Sequence, residues 1–297
     1  MPRFKIFLAI PLLCVPVVAA TDYTLVFEEN FNSDSLNTNV WSKVPHIDTT
    51  VAWRRYVTTD DDLFEFRNGC LVLKGTKDSA NSSVNDYRCG AVWSQNKYSF
   101  QYGKVEIRAK FNSIQGVWPA LWMMPSTGPW PSKGEIDIME HLNYEGSVYQ
   151  TLHYWNSSGN NASSSVHPDF AGYGNSTKND FNTYGIEWTE DSISFYLNDI
   201  KTATYSKSLS SYWPFDDENN KFFLILSMQI GGGWVEGAGA GGIDSNALYN
   251  TGSEMLIDYV RVWQPSSMIP DIPEPSHFGV GAALAAIAFA AGRRRRR

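Results

Sequence analysis

The chain has 297 residues, of which 43% are hydrophobic and 19% are charged, a composition typical of a folded globular protein. The formal net charge is −7, but seven of the 24 basic residues lie at the two ends, and without them 17 Lys and Arg face 31 Asp and Glu, a net charge of −14. Such a surface repels nucleic acids, so we expect no nucleic-acid partner and favour a neutral substrate.

The first 20 residues have the order of a secretory signal peptide. Arg3 and Lys5 precede an apolar run from Ile6 to Val18, and small residues up to Ala20 form a cleavage site. The run is shorter than the ~20 residues that a membrane span needs. We therefore assign residues 1–20 to a signal peptide removed by signal peptidase, and expect an exported protein.

Residues 21–265 show the pattern of a β protein. Short alternating or apolar segments recur between clusters of Gly, Asn, Ser, Asp and Pro, whereas no helical period stands out. In chain order the predicted strands are YTLVFEE, CLVLKGT, GAVWSQ, GKVEIRAKF, PALWMM, GEIDIME, VYQTLHYW, YGIEWTE, SISFYLND, FFLILSMQI and MLIDYVRVWQ. A turn at Asn198-Asp199 predicts a hairpin. No repeat or linker divides the segment, so we predict one large two-sheet sandwich.

Two cysteines, Cys70 and Cys89, remain once the signal peptide has been removed. Each borders a predicted strand, so the two could lie on neighbouring strands and form a disulfide in an oxidising compartment. Their spacing does not show whether the two Cβ atoms face each other. The sequence therefore leaves the disulfide open.

The segment GEIDIME brings three carboxylates, Glu135, Asp137 and Glu140, into six positions among apolar neighbours. Side chains alternate between the faces of a strand, so Glu140 would point away from the other two. One extra residue at Ile138-Met139, a β-bulge, would return it to their face. The two glutamates could then approach the ~5–5.5 Å separation of retaining glycosidases, with Asp137 between them. A solvated acidic face and a cation site are the alternatives.

Aromatic residues support a sugar-binding cleft. Some of the 11 tryptophans lie beside glycine or proline in predicted loops, and Trp118 and Trp234 are the stronger candidates for a sugar platform. Tryptophan is seldom fully buried and often keeps one edge in water. His153, in the strand VYQTLHYW, is either a core histidine satisfied by a neighbour or a residue that faces the same cleft.

The motif GEIDIME resembles the catalytic signature Glu-x-Asp-x-x-Glu of glycoside hydrolase family 16, in the bulged form of its laminarinase-like and agarase-like members. The segments GVWPALWMMP, YGKVEIRAKF, TLHYW, YGIEWT, IGGGW and IDYVRVWQ are similar to further blocks of that family, and together they cover nearly the whole body. The resemblance implies a jelly-roll sandwich of the concanavalin A type with a concave substrate cleft, and no cofactor for catalysis.

The same resemblance implies roles for individual residues. Glu135 becomes the nucleophile, Asp137 the assisting acid and Glu140 the acid/base. Three further positions line the family's cleft: Trp118, Trp122 and His153. Leu63 stands about where many laminarinases carry a sugar-binding Asn, which leaves the exact glycan open.

A structural calcium ion is the second implication of the resemblance. Asp258 is an acid inside an apolar predicted strand, and a buried acid needs a partner. Arg261 lies three residues away and faces the other side of the strand. The family offers calcium instead, bound by Asp258 with backbone oxygens near Glu29 and Gly69.

The last residues, 266–297, form a linker and a tail. A Pro273-Glu274-Pro275 turn is followed by an apolar run from Phe278 to Gly292 and by five arginines. This order resembles the PEP-CTERM sorting signal of Gram-negative bacteria, which implies that a sorting protease removes the helix and that the protein is extracellular or attached to the cell surface. A permanent membrane anchor is the alternative.

These features predict a secreted, monomeric, retaining endo-β-glycanase that hydrolyses β-1,3-glucan or mixed-linkage β-glucan. A β-agarase or other galactan hydrolase, and a glucan transglycosylase, are alternatives on the same fold. A lectin-like carbohydrate-binding module is the alternative from another class, but a module of that kind does not need three acids at catalytic spacing.

Overall fold

The computed structural model describes residues 21–47, 51–78, 87–237 and 242–269. Among these, the residues of Tyr23–Gln264 form one compact unit. The predicted signal peptide, and the turn, apolar run and arginines of the predicted tail, lie outside the described residues. Within the described ranges, no helix is both long and apolar enough to cross a membrane.

The unit Tyr23–Gln264 is built almost entirely of strands. In chain order they are β1 Tyr23–Glu29, β2 Ser42–Lys43, β3 Phe64–Arg67, β4 Cys70–Lys77, β5 Tyr87–Cys89, β6 Ala91–Trp93, β7 Gly103–Asn112, β8 Val117–Pro125, β9 Glu135–Glu140, β10 Tyr149–Trp155, β11 Asn161–Val166, β12 Asn182–Trp188, β13 Ser192–Leu197, β14 Ile200–Ser206, β15 Phe222–Ile230 and β16 Ser253–Pro265. Two short α-helices, α1 Gly233–Gly237 and α2 Ser245–Asn250, lie between β15 and β16. Single 3-10 turns occupy Ala52–Arg54, Asp61–Leu63, Lys207–Leu209, Pro214–Asp216 and Ser266–Met268.

The strands form two antiparallel sheets. The larger follows the order β14-β13-β12-β7-β16-β4-β3, with β1 paired to β16 and β5 to β4. The smaller follows the order β11-β10-β9-β8-β15-β6-β2. Sequence neighbours such as β8, β9 and β10 pair directly, whereas β15 inserts between β8 and β6. The prediction of an all-β, two-sheet sandwich is confirmed.

The main core lies between the sheets and follows from the alternation of the strands. In β7, Val105, Ile107, Ala109 and Phe111 are buried, while Glu106, Arg108 and Lys110 between them are partly exposed. All nine residues of β15 are buried, because both faces of that strand are covered. Each large apolar side chain in this core contributes about 1.5–3 kcal/mol when it leaves water.

The hairpin predicted at Asn198-Asp199 is confirmed. The two residues join β13 to β14 and have φ values of 50° and 62°, the left-handed conformation that a type I′ turn requires at both positions.

The structure also decides the open question of the disulfide, because both cysteines are free and buried. Cys89 lies opposite Gly75 in the β4–β5 pair, five positions from Cys70 along β4, or roughly 16 Å at ~3.3 Å per residue. Burial raises the pKa of both thiols.

Candidate active site

Strand β9 contains the predicted bulge, and the bulge brings the acids together. Trp122 of β8 pairs with Asp137, and the preceding residue of β8, Leu121, pairs with Met139. Ile138 is therefore left unpaired in the bulge. The partner β10 shows the same irregularity between Tyr149 and Thr151. Glu140 therefore returns to the face of Glu135, while Ile136, Ile138 and Met139 are fully buried.

A row of side chains crosses the smaller sheet at the level of Asp137, and we call it the central row. Register places its members opposite one another on successive strands from β11 to β6: Ser165, Thr151, Asp137, Trp122, Ile225 and Trp93. Directly opposed residues of antiparallel strands point to the same face. The central row therefore runs across the face that carries the catalytic candidates.

On the β9–β11 side of this face lies a groove of about 470 Å³. It is lined by Trp118, Trp130, Glu135, Glu140, Tyr149, Thr151, His153, Ser163, Ser165, His167 and Trp234. The structure thus brings together Glu135, Glu140, Trp118, His153 and Trp234 from the sequence prediction, with Asp137 beneath them at 1% exposure.

Each glutamate accepts a hydrogen bond from a different indole. Trp118 Nε1 donates to Glu140 Oε1 at 3.0 Å, and Trp130 Nε1 donates to Glu135 Oε2. The indole of Trp234, on α1, stands edge-on to that of Trp118, with ring centroids 5.3 Å apart. The indoles fix the two carboxyls at separate points of the groove while leaving Trp130 and Trp234 exposed at its rim.

The two glutamates differ in proton affinity. Burial raises the pKa of Glu135 to about 7, against the lowering effect of hydrogen bonds from Asp137 and Trp130. Burial and repulsion by Glu135 raise the pKa of Glu140 to about 8. The hydrogen bonds to Glu135 favour its ionised form, and the charge of Glu135 favours the protonated form of Glu140, which is the pairing that a nucleophile and a proton donor require.

Asp137 holds a proton between the two glutamates. Burial, followed by repulsion from Glu135 and Glu140, raises its pKa well above the usual range, so its carboxyl can donate to Glu135. His153 Nε2 lies 3.4 Å from Asp137 Oδ2, and burial lowers the pKa of the imidazole. Atoms of Glu135, Asp137 and His153 lie within 4.8 Å of one another. The charges of Glu135 and Glu140 act on Asp137, so the three acids form one titrating cluster.

On the other side of Asp137 the same face carries an apolar platform, formed by β8, β15 and β6. Trp122 is 5% exposed there, donates from Nε1 to Ser227 Oγ at 3.1 Å, and is covered by the edge of Trp53 with centroids 4.9 Å apart. Trp93 stands edge-on to Phe223. The predicted contact of Trp122 with sugar stays a prediction, and the surface above Trp122 belongs to Trp53.

Sequence reasoning did not assign several of these residues. Trp130 was recognisable, because it is a loop indole five residues before Glu135, but Trp53 and Trp93 gave no local signal. Ser163 and Ser165 belong to β11, whose sequence NASSSV lacks the apolar alternation that predicts a strand.

The predicted calcium residues lie away from the groove: Glu29 ends β1, Gly69 lies in the turn between β3 and β4, and Asp258 lies in β16. Asp258 is only partly buried and pairs with Arg108 of β7, a partner that the sequence analysis, which considered only Arg261, did not identify. Asp258 falls at a bulge in β16, and its charge acts on Cys70, the neighbour of Gly69.

A Cβ added to Gly69 would lie 3.0 Å from Asn32 Oδ1, which brings the segment after Glu29 to the same place. The three predicted segments therefore approach one another. Asp258 and Asn32 bring side-chain oxygens, the kind of ligand that a hard cation takes, but Asp258 has Arg108 as its partner.

The chain is similar to a known protein family and to proteins within it. The model of Glycosyl hydrolases family 16 matches residues 53–255. The chain is 37% identical to a keratan-sulfate endo-1,4-beta-galactosidase of Sphingobacterium multivorum, over 85% of this chain and 58% of that protein. It is 29% identical to glucan endo-1,3-beta-glucosidase A1 of Niallia circulans, over 84% and 39%. The chain thus spans less than two thirds of either relative.

A solved structure confirms the fold. The laminarinase catalytic domain of Thermotoga maritima superposes with a TM-score of 0.65 at 30% identity, covering 82% of this chain and 98% of that domain. The prediction of a jelly-roll sandwich is confirmed.

Proposed function

The chain belongs to glycosyl hydrolase family 16, and we propose that it is a retaining endo-β-glycanase. The observation that carries the proposal is the pair Glu135 and Glu140 in one groove, each held by its own indole and with different proton affinities. The Glu135 carboxylate attacks the anomeric carbon while the Glu140 carboxyl gives its proton to the leaving oxygen. The Glu140 carboxylate then takes a proton from water, whose oxygen displaces Glu135 from the sugar.

β-1,3-Glucan or mixed-linkage β-glucan is the first candidate substrate, supported by the likeness to a laminarinase and to a glucan endo-1,3-beta-glucosidase. A β-galactan is the second, supported by the 37% identity to a keratan-sulfate endo-1,4-beta-galactosidase. Transfer to a sugar hydroxyl instead of water uses the same covalent intermediate. Product sizes from a panel of these polysaccharides separate the three.

The test of the mechanism is azide rescue of two variants on a β-linked substrate with a good leaving group. Glu140→Ala still forms the covalent intermediate but has no base to activate water, and azide, which needs no base, should release a β-configured glycosyl azide after two inversions. In Glu135→Ala, azide enters the space of the missing carboxylate, and one inversion gives the α product. The reverse pattern would exchange the two roles, and α-configured sugar from the wild type would overturn the retaining mechanism.

We further propose that the protein is exported by its signal peptide, processed at its tail by a sorting protease, and active as a monomer outside the cell or at the cell surface of a Gram-negative bacterium. The support is the order of charged and apolar residues at both ends. A structural calcium ion bound by Asp258, near Glu29 and Gly69, is the last part of the proposal. Its support is the convergence of those three segments.

A further inference from the structure

Arg54 lies on the face that carries the active site, away from the catalytic strand. Its guanidinium carbon is 5.2 Å from the ring centroid of Trp93 and 5.3 Å from that of Trp53. Trp93 is the β6 member of the central row, three strands from Asp137, which is roughly 14 Å at ~4.8 Å per strand. A polysaccharide that reached Arg54 from the catalytic acids would lie over Trp53, which covers Trp122, and more than one sugar unit would span that distance.

The cation of Arg54 has no acidic partner among the described residues. Its Nη2 donates to the backbone oxygen of Pro45 at 2.8 Å, and its Nε is buried without a hydrogen-bond partner. Burial lowers the pKa of the guanidinium, and no neighbouring carboxylate opposes that effect. The adjacent Arg55 differs, since it is exposed and lies 4.0 Å from Glu236.

A partly desolvated arginine without a counter-charge destabilises the folded protein, and a bound anion would remove that penalty. Stacking on two indoles holds the guanidinium plane, and the Pro45 carbonyl holds one end, so little freedom is lost when a ligand binds. Because Nε is buried, the N–H groups left for a carboxylate or a sulfate ester are those on the two Nη atoms that do not bond Pro45. Packing of the arginine stem over Trp93 alone would explain the stacking but not the missing counter-charge.

We propose that Arg54 forms an anion-binding subsite for a sulfate ester or a uronate carboxylate on the polysaccharide substrate. The inference rests on the proposed glycanase activity and adds to it a preference for acidic glycans. The negative charge of the whole chain opposes the approach of such a polymer, but salt screens that repulsion beyond about 8 Å, whereas a direct contact persists. Neutral glucan would use the same cleft without the extra contact.

The experiment compares Arg54→Gln with its matched neighbour, Arg55→Gln. The substrates are a sulfated β-galactan and its desulfated form, a uronate-bearing β-glycan and its carboxyl-reduced form, and laminarin. We expect Arg54→Gln to lower kcat/KM about 10- to 100-fold on the sulfated or the uronate-bearing polymer and to change it less than ~3-fold on the uncharged ones. The polymer on which Arg54→Gln has the lower kcat/KM identifies the anion as sulfate or carboxylate. Arg55→Gln should keep the wild-type ratio of kcat/KM between charged and uncharged polymers.

An equal loss of kcat/KM on charged and uncharged substrates would mean that Arg54 only supports its loop, and would overturn the subsite. A wild-type enzyme with the same kcat/KM on charged and uncharged polymers would overturn it too. A protein that cuts none of the polymers would refute the proposed function instead. In that case, calorimetry with an inactive variant tests the subsite independently of cleavage. Glu140→Gln should bind a sulfated or a uronate-bearing oligosaccharide more tightly than its uncharged form, and adding Arg54→Gln should abolish the difference. Equal affinities in Glu140→Gln would refute the subsite without any cleavage.

Discussion

Replacing Glu140 with Gln should stabilise the protein at high pH, although it removes the proton donor. A carboxyl with a raised pKa keeps its proton in the folded state where the unfolded chain has lost it, so stability falls as the pH rises from about 4.5 to about 8. The difference between the pKa of Glu140 in the unfolded and the folded state corresponds to about 5 kcal/mol at ~1.36 kcal/mol per pKa unit. Because Glu135 and Asp137 share the cluster's protons, we expect Glu140→Gln to recover about 2 to 5 kcal/mol at pH 9.

Urea unfolding at pH 5 and pH 9, followed by tryptophan fluorescence, measures the effect. At pH 5 the gain should be below about 1 kcal/mol, because Glu140 is then protonated in the folded state. At pH 9 even 2 kcal/mol raises Tm by roughly 4–8 °C for a domain of this size. Glu218→Gln, at an exposed glutamate, is the control. A loss of stability at pH 9, or a gain equal at both pH values, would refute the reasoning.

Three further outcomes are expected. Trp130→Phe removes the indole donor of Glu135, so the acid limb of the kcat/KM profile should move up from about pH 7 by about one unit, and an unmoved limb would contradict the bond's role. Calcium at 100 times its Kd should add about 2.7 kcal/mol to wild-type stability and nothing to Asp258→Asn; a wild type whose Tm ignores both calcium and chelator would exclude the ion. Deletion of residues 270–297 should preserve activity and change location, and a variant that fails to fold would show that the tail belongs to the domain.

The fold and the catalytic acids could be predicted because their signals are local. Alternation in β7 identifies a half-buried strand from its own residues, and Asn198-Asp199 identifies a hairpin from two positions. The bulge could be predicted because Glu140 lies five positions from Glu135, and two residues at an odd spacing share a face of a strand only if one residue between them is unpaired. Each inference needed no knowledge of which strands become neighbours.

What could not be predicted depends on distant parts of the chain. The pairing of Asp258 with Arg108 joins residues 150 positions apart, so searching within one strand missed it. Trp53 covers Trp122 because a loop folds over β8, and nothing in either segment indicates the other. The free cysteines show the same limit, because two strands can be adjacent while the register keeps their thiols apart.

The bulge in β9 also determines which changes of chain length this strand can tolerate. Loss of either Ile138 or Met139 would remove the extra residue, so the strand would become regular and Glu140, then four positions from Glu135, would still point into the groove. One further residue would instead turn Glu140 toward the buried space between the sheets if the bulge stays, or carry it about two positions farther from Glu135 if the strand becomes regular. Replacement of the same residues by others of similar volume keeps the parity and costs less than about 1.5 kcal/mol. Among natural variants, substitutions at these two positions and loss of one of them should therefore be found, whereas single-residue insertions between Glu135 and Glu140 should be rare.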